Sequence, residues 1–393
     1  MLIPLYFRGN SEVTCVYAQD AIECAQRIRN GTADFGVFSA ENAYHVAALG
    51  WNELTVIKEV RHNERLREPF DFQSVVVVRS NHKGGVEGLQ GVDFCHPGLH
   101  YDRHMRWTEK FLKHFERSVV FTNCSKEISP VELEVSALSD FFNSACRPGL
   151  WSNNPEEDKL LKEKYPKLCS LCDDSSSCSY NDASPLSSHR EALECVRKSA
   201  NTVTYVALQE AQIFFNEQSS IANDFAYLCP NGTLQTITSN SRPCVWLTQP
   251  WKLIITNTEK AIGLSTALNR WFNLAHPGAG FGWETTLRQI LTSDSSSVMP
   301  ASNIVRVTDF IAPLRPIPIG LDVCNTGIRW CTHSFDEKDK CDVLRMAALT
   351  TGIVPTIICN PPKSEVVSCL SDVKTKKADF VGIDSNYGYL ARQ

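Results

Sequence analysis

Short apolar runs alternate along this chain with segments of helical period. Ser74-Val-Val-Val-Val-Arg79 and Trp251-Lys-Leu-Ile-Ile-Thr-Asn257 are bounded apolar runs. Runs of roughly four to eight residues rich in β-branched side chains predict strands. Met105–Arg117 and Ser188–Arg197 predict helices. Strands that alternate with helices predict an α/β class built in layers. No apolar run reaches the ~18 residues that a membrane span needs. Two stretches break the alternation. Residues 146–185 are rich in Cys, Ser, Asp and Lys and are expected to form a core-poor loop held by its own disulfides. Ile311-Ala-Pro-Leu-Arg-Pro-Ile-Pro-Ile319 is proline-rich and predicts a stiff linker.

One pattern occurs twice. The first copy runs from Cys24 through Ala33-Asp34-Phe35 to a short apolar strand and then a helical segment. The second runs from Cys369 through Ala378-Asp379-Phe380 in the same order. Each cysteine stands ten residues before its Asp, and each copy has a further cysteine upstream, Cys15 and Cys359. The copies lie 345 residues apart, so the repeating unit is a whole lobe, whose second copy has only begun at residue 393.

Composition narrows the class. A length of 393 residues suggests two or three domains. The net charge of −5 argues against a nucleic-acid binder, which needs a basic surface. Sixteen cysteines, spread along the chain, point to disulfides in an oxidising compartment. Cys169-x-x-Cys172 has the spacing of a zinc knuckle or redox pair, but no second pair follows at finger spacing. Three sequons, at Asn30, Asn123 and Asn231, are glycan acceptors in a secreted protein. The reading is therefore a secreted, extracellular glycoprotein. Met1-Leu-Ile-Pro-Leu-Tyr-Phe7 is too short for a signal peptide, so further chain is expected before Met1.

Several motifs occur in one order along almost the whole chain. They are Cys24 with Gly31-Thr-Ala-Asp34, Cys95-His-Pro-Gly-Leu99, Phe141-Phe-Asn-Ser-Ala-Cys146, Leu168-Cys-Ser-Leu-Cys172, Ala192-Leu-Glu-Cys-Val196, Arg329-Trp-Cys-Thr332 and Lys340-Cys341. At these residues the chain resembles the transferrins. The resemblance implies a lobe of two α/β subdomains with a hinged cleft, like a periplasmic binding protein, and rich in disulfides. It places an N-terminal lobe over 1–320. Subdomain 1 takes 1–70 and 250–320, and subdomain 2 takes 71–249. An interlobe linker covers 311–328, and 329–393 opens a C-terminal lobe. It also implies the pairs Cys95–Cys195, Cys124–Cys324, Cys146–Cys172, Cys169–Cys178, Cys229–Cys244, Cys331–Cys369 and Cys341–Cys359. Cys15 and Cys24 are expected to pair with cysteines upstream of Met1.

The family implies a cargo, Fe(III), held by one Asp, two Tyr and one His with a carbonate. Anionic oxygens suit this hard cation, and a helix N-terminus suits the carbonate. This lobe departs at every position. Ser39 stands for the Asp, Gln73 and His189 for the tyrosines, and Lys252 for the His. Pro97 and Tyr101 stand for the anion-holding Thr and Arg. Arg103 and Tyr180 are the nearest displaced substitutes. A lysine ammonium beside a trivalent cation costs several kcal/mol even at an effective dielectric of ~20. The N-terminal lobe is thus read as binding no iron and no cofactor. Asp384, fifteen residues after Cys369, restores the first ligand in the second copy. Its plainer reading is a solvated Asp or a helix N-cap. Fe(III) with carbonate would then belong to a complete C-terminal lobe.

Other constellations are weaker. His96, His100 and His104 share a four-residue spacing, which on one helix would offer a divalent-metal site together with His189. Pro97 and Gly98 break that helix, so exposed histidines are the better reading. Asp336, Glu337, Asp339 and Asp342 interleave with Lys338 and Lys340 and read as a solvated helix face, with Asp322 nearby. No nucleophile elbow, phosphate loop or HExxH occurs, so the protein is read as a binding protein and not an enzyme. A hydrolase using a cleft Ser and His is the weakest reading. The rival to iron is an interaction or inhibitor module, or a small-anion binder using the cleft. The expected state is a monomer without nucleic-acid partner or membrane span, and its partner a cell-surface or extracellular protein.

Overall fold

The computed structural model describes residues 11–99, 109–124, 128–181, 188–238, 242–272, 283–292, 296–314, 327–350 and 356–392. The strands are β1 (Phe35–Phe38), β2 (Leu54–His62), β3 (Phe72–Arg79), β4 (Asp93–Cys95), β5 (Ala145–Cys146), β6 (Thr202–Ala207) and β7 (Phe225–Leu228). They continue with β8 (Leu234–Thr236), β9 (Leu247–Gln249), β10 (Lys252–Asn257), β11 (Ser296–Arg306), β12 (Ile328–Cys331), β13 (Ile357–Cys359) and β14 (Phe380–Val381). The chain divides into two compact units: unit 2 holds Phe72–Gln249, and unit 1 the described residues before and after it. No helix among the described residues is long and apolar enough to cross a membrane.

Unit 2 is built on a mixed sheet in the order β5-β4-β6-β3-β7-β8, with β9 also paired to β3. Val75, Val76, Val77 and Val78 of β3 are all buried. The valine run is continuous because β3 lies inside the sheet with both faces covered. The helices of this unit are α3 (Glu109–Leu112), α4 (His114–Val119), α5 (Pro130–Phe141), α6 (Pro155–Lys164), α7 (Ser188–Lys198) and α8 (Leu208–Glu217), where α1, α2 and those after α8 belong to unit 1. The helix expected over 105–117 is described only from residue 109, and there it is broken at Lys113. The carbonyl of Leu112 accepts from His96 Nε2 at 3.0 Å, and the buried Lys113 ammonium lies 2.8 Å from Glu134 Oε1. Local side-chain bonds outcompete helical continuation there.

The stretch 146–185 is not core-poor, contrary to the sequence expectation. It carries α6, and Trp151 and Leu168 are fully buried. Asp158 Oδ1 accepts from the Trp151 amide at 2.6 Å, and the Trp151 indole donates to the Arg147 carbonyl at 2.8 Å. Two isolated apolar side chains become core because Cys146–Cys172 and Cys169–Cys178 fold the segment onto them.

Unit 1 holds an antiparallel sheet in the order β1-β10-β2-β11 and a small parallel sheet β13-β12-β14. Its helices are α1 (Ala21–Arg29), α2 (Ala40–Ala48), α9 (Ala261–Trp271), α10 (Trp283–Leu291), α11 (Val307–Ile311), α12 (Phe335–Thr350), α13 (Val366–Lys374) and α14 (Gly388–Ala391). Ile57, Ile254, Leu268, Phe272 and Leu287 form one core of this unit. Helix α12 packs against α1 and α2. Cys331–Cys369 and Cys341–Cys359 staple the small sheet. Unit 2 carries Cys95–Cys195 and Cys229–Cys244 as well. Cys324, the expected partner of Cys124, lies outside the described residues. Cys15 and Cys24 are free thiols.

Candidate functional site

The candidate ligand positions fall in both units. In unit 1, Ser39 follows β1 and Lys252 opens β10. The register Phe38↔Leu253 leaves these two as the next residues at one end of the strand pair. Ser39 is half-buried and caps α2, its hydroxyl accepting from the Asn42 amide at 3.2 Å. Lys252 is exposed, and its ammonium has no ion-pair partner among the described residues.

Charged residues that the sequence reading passed over surround this end of the sheet. Lys252 lies opposite Val60 of β2, beside Glu59 and Arg61. Glu59 is buried and ion-paired to Arg61 at 2.6 Å. Arg65 stacks over Trp251 at 4.9 Å and pairs with Glu68 at 2.6 Å and Asp71 at 3.4 Å. Burial pushes the Asp71 carboxyl up to about 6, against the pull of Arg65 and Lys252. The only sequence signal was Lys58-Glu59 interrupting an apolar strand. Lys58 itself is buried and donates to Asn269 Oδ1 at 2.6 Å.

In unit 2, Gln73 lies on β3 opposite Thr248 of β9, and its amide donates to the Thr248 hydroxyl at 3.1 Å. His189 sits in the first turn of α7 and is buried. Its Nδ1 accepts from the Ala207 amide at 3.2 Å. That bond assigns the proton of the neutral ring to Nε2, so neither nitrogen holds an unused lone pair. Ala207 lies opposite Ser74, which brings His189 to the same end of the sheet as Gln73. Pro97 follows β4 at that end too, since β4 runs parallel to β6. Proline offers neither hydroxyl nor N–H. The next amide, of Gly98, donates to His96 Nδ1 at 2.8 Å and is turned away from any anion. Tyr101, Arg103, His100 and His104 lie outside the described residues.

Tyr180 is buried, and its phenol donates to the His96 carbonyl at 3.0 Å. Burial holds its pKa well above that of a free phenol, so it stays a phenol at neutral pH. Nearby, Arg147 is fully buried between Glu116 (2.7 Å) and Glu134 (3.1 Å). Burial opposes ionisation of Glu134, but the charges of Lys113, Arg147 and Arg117 outweigh it and bring the carboxyl to about 2. This cluster ties β5 to α4 and α5. It is a structural ion network with its charges already paired.

In the second repeat, Asp384 is exposed and caps the short turn Ser385–Tyr387, accepting from the Asn386 amide at 2.9 Å. Among the described residues, no three His, Cys, Asp or Glu side chains group as a metal-holding set within either unit. The three sequon asparagines, Asn30, Asn123 and Asn231, are all exposed.

A family model described as Transferrin matches residues 6–265 and 328–393. The chain belongs to the transferrin family. It is 28% identical to the transferrin of Blaberus discoidalis, covering 97% of this chain and 53% of that protein. It is 26% identical to the transferrin of Sarcophaga peregrina, covering 95% of this chain and 60% of that one. The solved structure of transferrin 1 from Manduca sexta aligns with a TM-score of 0.67 and 25% identity, over 96% of this chain and 59% of that one. This transferrin chain thus spans little more than half the length of such relatives. The mixed α/β layers and the disulfides of its two units are those of a transferrin fold.

Proposed function

We propose that this chain is the first lobe and the opening of the second lobe of a secreted transferrin that carries no iron in its first lobe. Transferrins are generally iron-binding and transport proteins, and any Fe(III) carriage is assigned to a completed second lobe. Asp384 is its first ligand there. The observation that carries the reading is Lys252. It stands where the family supplies a neutral imidazole, and its exposed ammonium meets no carboxylate in an ion pair among the described residues. A trivalent cation beside it would be repelled by several kcal/mol at an effective dielectric of ~20. Ser39 and Gln73 add no charge, and the His189 ring has its Nδ1 committed to a backbone amide. The set lacks the anionic oxygens that Fe(III) prefers. The chain is read as a monomeric, glycosylated binding protein, without catalysis, that meets a cell-surface or extracellular protein.

The test is titration with Fe(III) and bicarbonate, following the phenolate-to-iron charge-transfer band. It is run on the 393-residue chain and on a chain carrying a complete second lobe. Colour in the longer chain alone is the expected result. Colour in the 393-residue chain would overturn the ligand assignment. Colour in neither would remove iron from the function.

A second reading has one observation in its favour. Lys252 is exposed and without an ion-pair partner among the described residues at one end of the unit 1 sheet, while the neighbouring Arg61 and Arg65 are held by Glu59, Glu68 and Asp71. That suits a small organic anion. Calorimetric titration with citrate separates the readings: saturable binding lost in Lys252→Ala supports the anion, and no binding dismisses it.

A further inference from the structure

A cavity of about 360 Å³ opens in unit 2, at the end of the sheet opposite Pro97. It is lined by Thr202 at the start of β6, by Arg79 at the end of β3, and by the loop that follows β3. Asn81, His82, Lys83 and Asn201 complete its polar wall, and no Asp or Glu lines it. Asp93, opposite Thr202 in the sheet, is not among the lining residues, and its oxygens accept from Asn143 at 2.9 Å and from Ser199 at 3.0 Å. A wall whose charged lining residues are Arg79 and Lys83 favours an anion.

Two of the lining groups are fixed in place. The Arg79 guanidinium donates to the carbonyls of Arg197 (2.9 Å) and Ser199 (3.1 Å) and stacks over Phe225 at 4.5 Å. Its Nη1 makes no bond among the described residues. His82 Nε2 donates to the Gly85 carbonyl at 2.8 Å. The loop that carries His82 and Lys83 turns onward through Gly84 and Gly85, both at positive φ. A Cβ at Gly88 would lie 2.0 Å from the Lys83 carbonyl, so only glycine lets this turn close. Lys83 is exposed, forms no ion pair among the described residues, and lines the cavity. Fixed donors lose little entropy when they bind.

Thr202 supplies an independent indication. It is 4% exposed, and its Oγ1 has no hydrogen-bond partner among the described residues. Buried hydroxyls normally find a partner, so this one calls for a water, an ion or a ligand to complete it. Leu89 and Val92 form the apolar side of the same cavity. The volume exceeds that of an oxyanion alone and leaves room for a small organic group against them.

We propose that this cavity binds the tetrahedral oxyanion of a small phosphorylated or sulfated molecule. Lys83 and Arg79 supply the charge, and His82, Thr202 and the asparagines line the wall beside them. Isothermal titration calorimetry tests it on the 393-residue chain, with inorganic phosphate and with sulfate at an ionic strength held constant by KCl. Saturable binding is expected, weakened about tenfold by Lys83→Ala, as the loss of one charge-assisted contact predicts. Thr202→Val is expected to weaken it severalfold. Preference for phosphate would identify a phosphorylated ligand, and preference for sulfate a sulfated one. The proposal fails if neither anion gives saturable heat, or if Lys83→Ala leaves the affinity unchanged. Lys83 is exposed, so that variant folds and keeps the test decisive even if Thr202→Val does not.

Discussion

The two copies of the repeat share a local frame and differ in what is attached to it. Each helix, α1 or α13, ends in the same left-handed turn, at Gly31 (φ +75°) and Lys376 (φ +60°). The carbonyl of Arg27 accepts from Thr32 and Ala33, and that of Asp372 accepts from Lys377 and Ala378. Each following Asp pairs with a cation on a neighbouring element, Asp34 with Lys260 at 2.6 Å and Asp379 with Arg329 at 2.9 Å. Each strand then ends in a side chain that caps the next helical turn, Ser39 or Asp384. Capping needs only an acceptor oxygen, and both residues provide one. The frame therefore does not decide between hydroxyl and carboxylate. Capping alone does not require the charge at 384.

The largest difference lies in the cysteines. Cys369 is bonded to Cys331 on β12, whereas Cys24 is a half-buried free thiol. Removing Cys331–Cys369, which spans 38 residues, by a double substitution to Ala is expected to destabilise the second copy by about 4 kcal/mol. Cys24→Ala is expected to cost less than about 1 kcal/mol, the loss of one small apolar group. Urea denaturation with hydrogen exchange at the amides of each copy measures both. Equal losses would break the comparison. Alkylation of the native 393-residue chain sharpens it. The exposed Cys15 should react first at neutral pH. Burial raises the Cys24 thiol, so its thiolate forms only at higher pH and its labelling should climb there. In a longer chain with an equivalent of β12 beside β1, neither thiol should react.

These contrasts also mark what was readable in the sequence. The Cys…Ala-Asp-Phe frame is legible because a strand edge, a turn and a cap each leave a residue signature in a few adjacent positions. The valine run of β3 is legible because an interior strand needs apolar side chains on both faces. Ion networks are not. Arg147 meets Glu134 and Glu116, 13 and 31 residues away, and nothing local announces either partner. Lys58 and Glu59 look like surface residues by type, yet they lie in a run of seven buried β2 positions. The core role of Trp151 was hidden by the polar residues around it, because disulfides and not periodicity bring that segment inward. At the candidate site, residue identities were readable, but the bonds that occupy His189 Nδ1 and the Gly98 amide were not.

The caps give the next smaller effect. Ser39→Ala and Asp384→Ala are each expected to cost about 1 kcal/mol, because each removes a side-chain acceptor from a helical N-terminus. Ser39→Asp and Asp384→Ser should each stay within about 0.5 kcal/mol of the parent, since Ser and Asp cap about equally well. Thermal denaturation checks all four. Ser39→Asp should also leave the first lobe colourless in the iron titration, because Lys252 and the committed His189 ring remain. Colour on that single change would show that one carboxylate was all the site lacked.

The smallest effect tests the turn itself. Gly31 and Lys376 occupy the same left-handed position, which glycine adopts freely and other residues adopt under strain. Nothing lies within 4 Å of a Cβ built at Gly31, so Gly31→Ala meets no clash and should cost only its backbone strain, about 1 kcal/mol. The reverse change, Lys376→Gly, relieves that strain but gives the unfolded chain more freedom, so its net gain should be about 0.5 kcal/mol. Opposite signs at the two positions, read by urea denaturation and by exchange at the amides of Thr32 and Lys377, are what one shared turn requires. A loss of stability in Lys376→Gly would mean that the lysine side chain holds the second copy in a way the first copy does without.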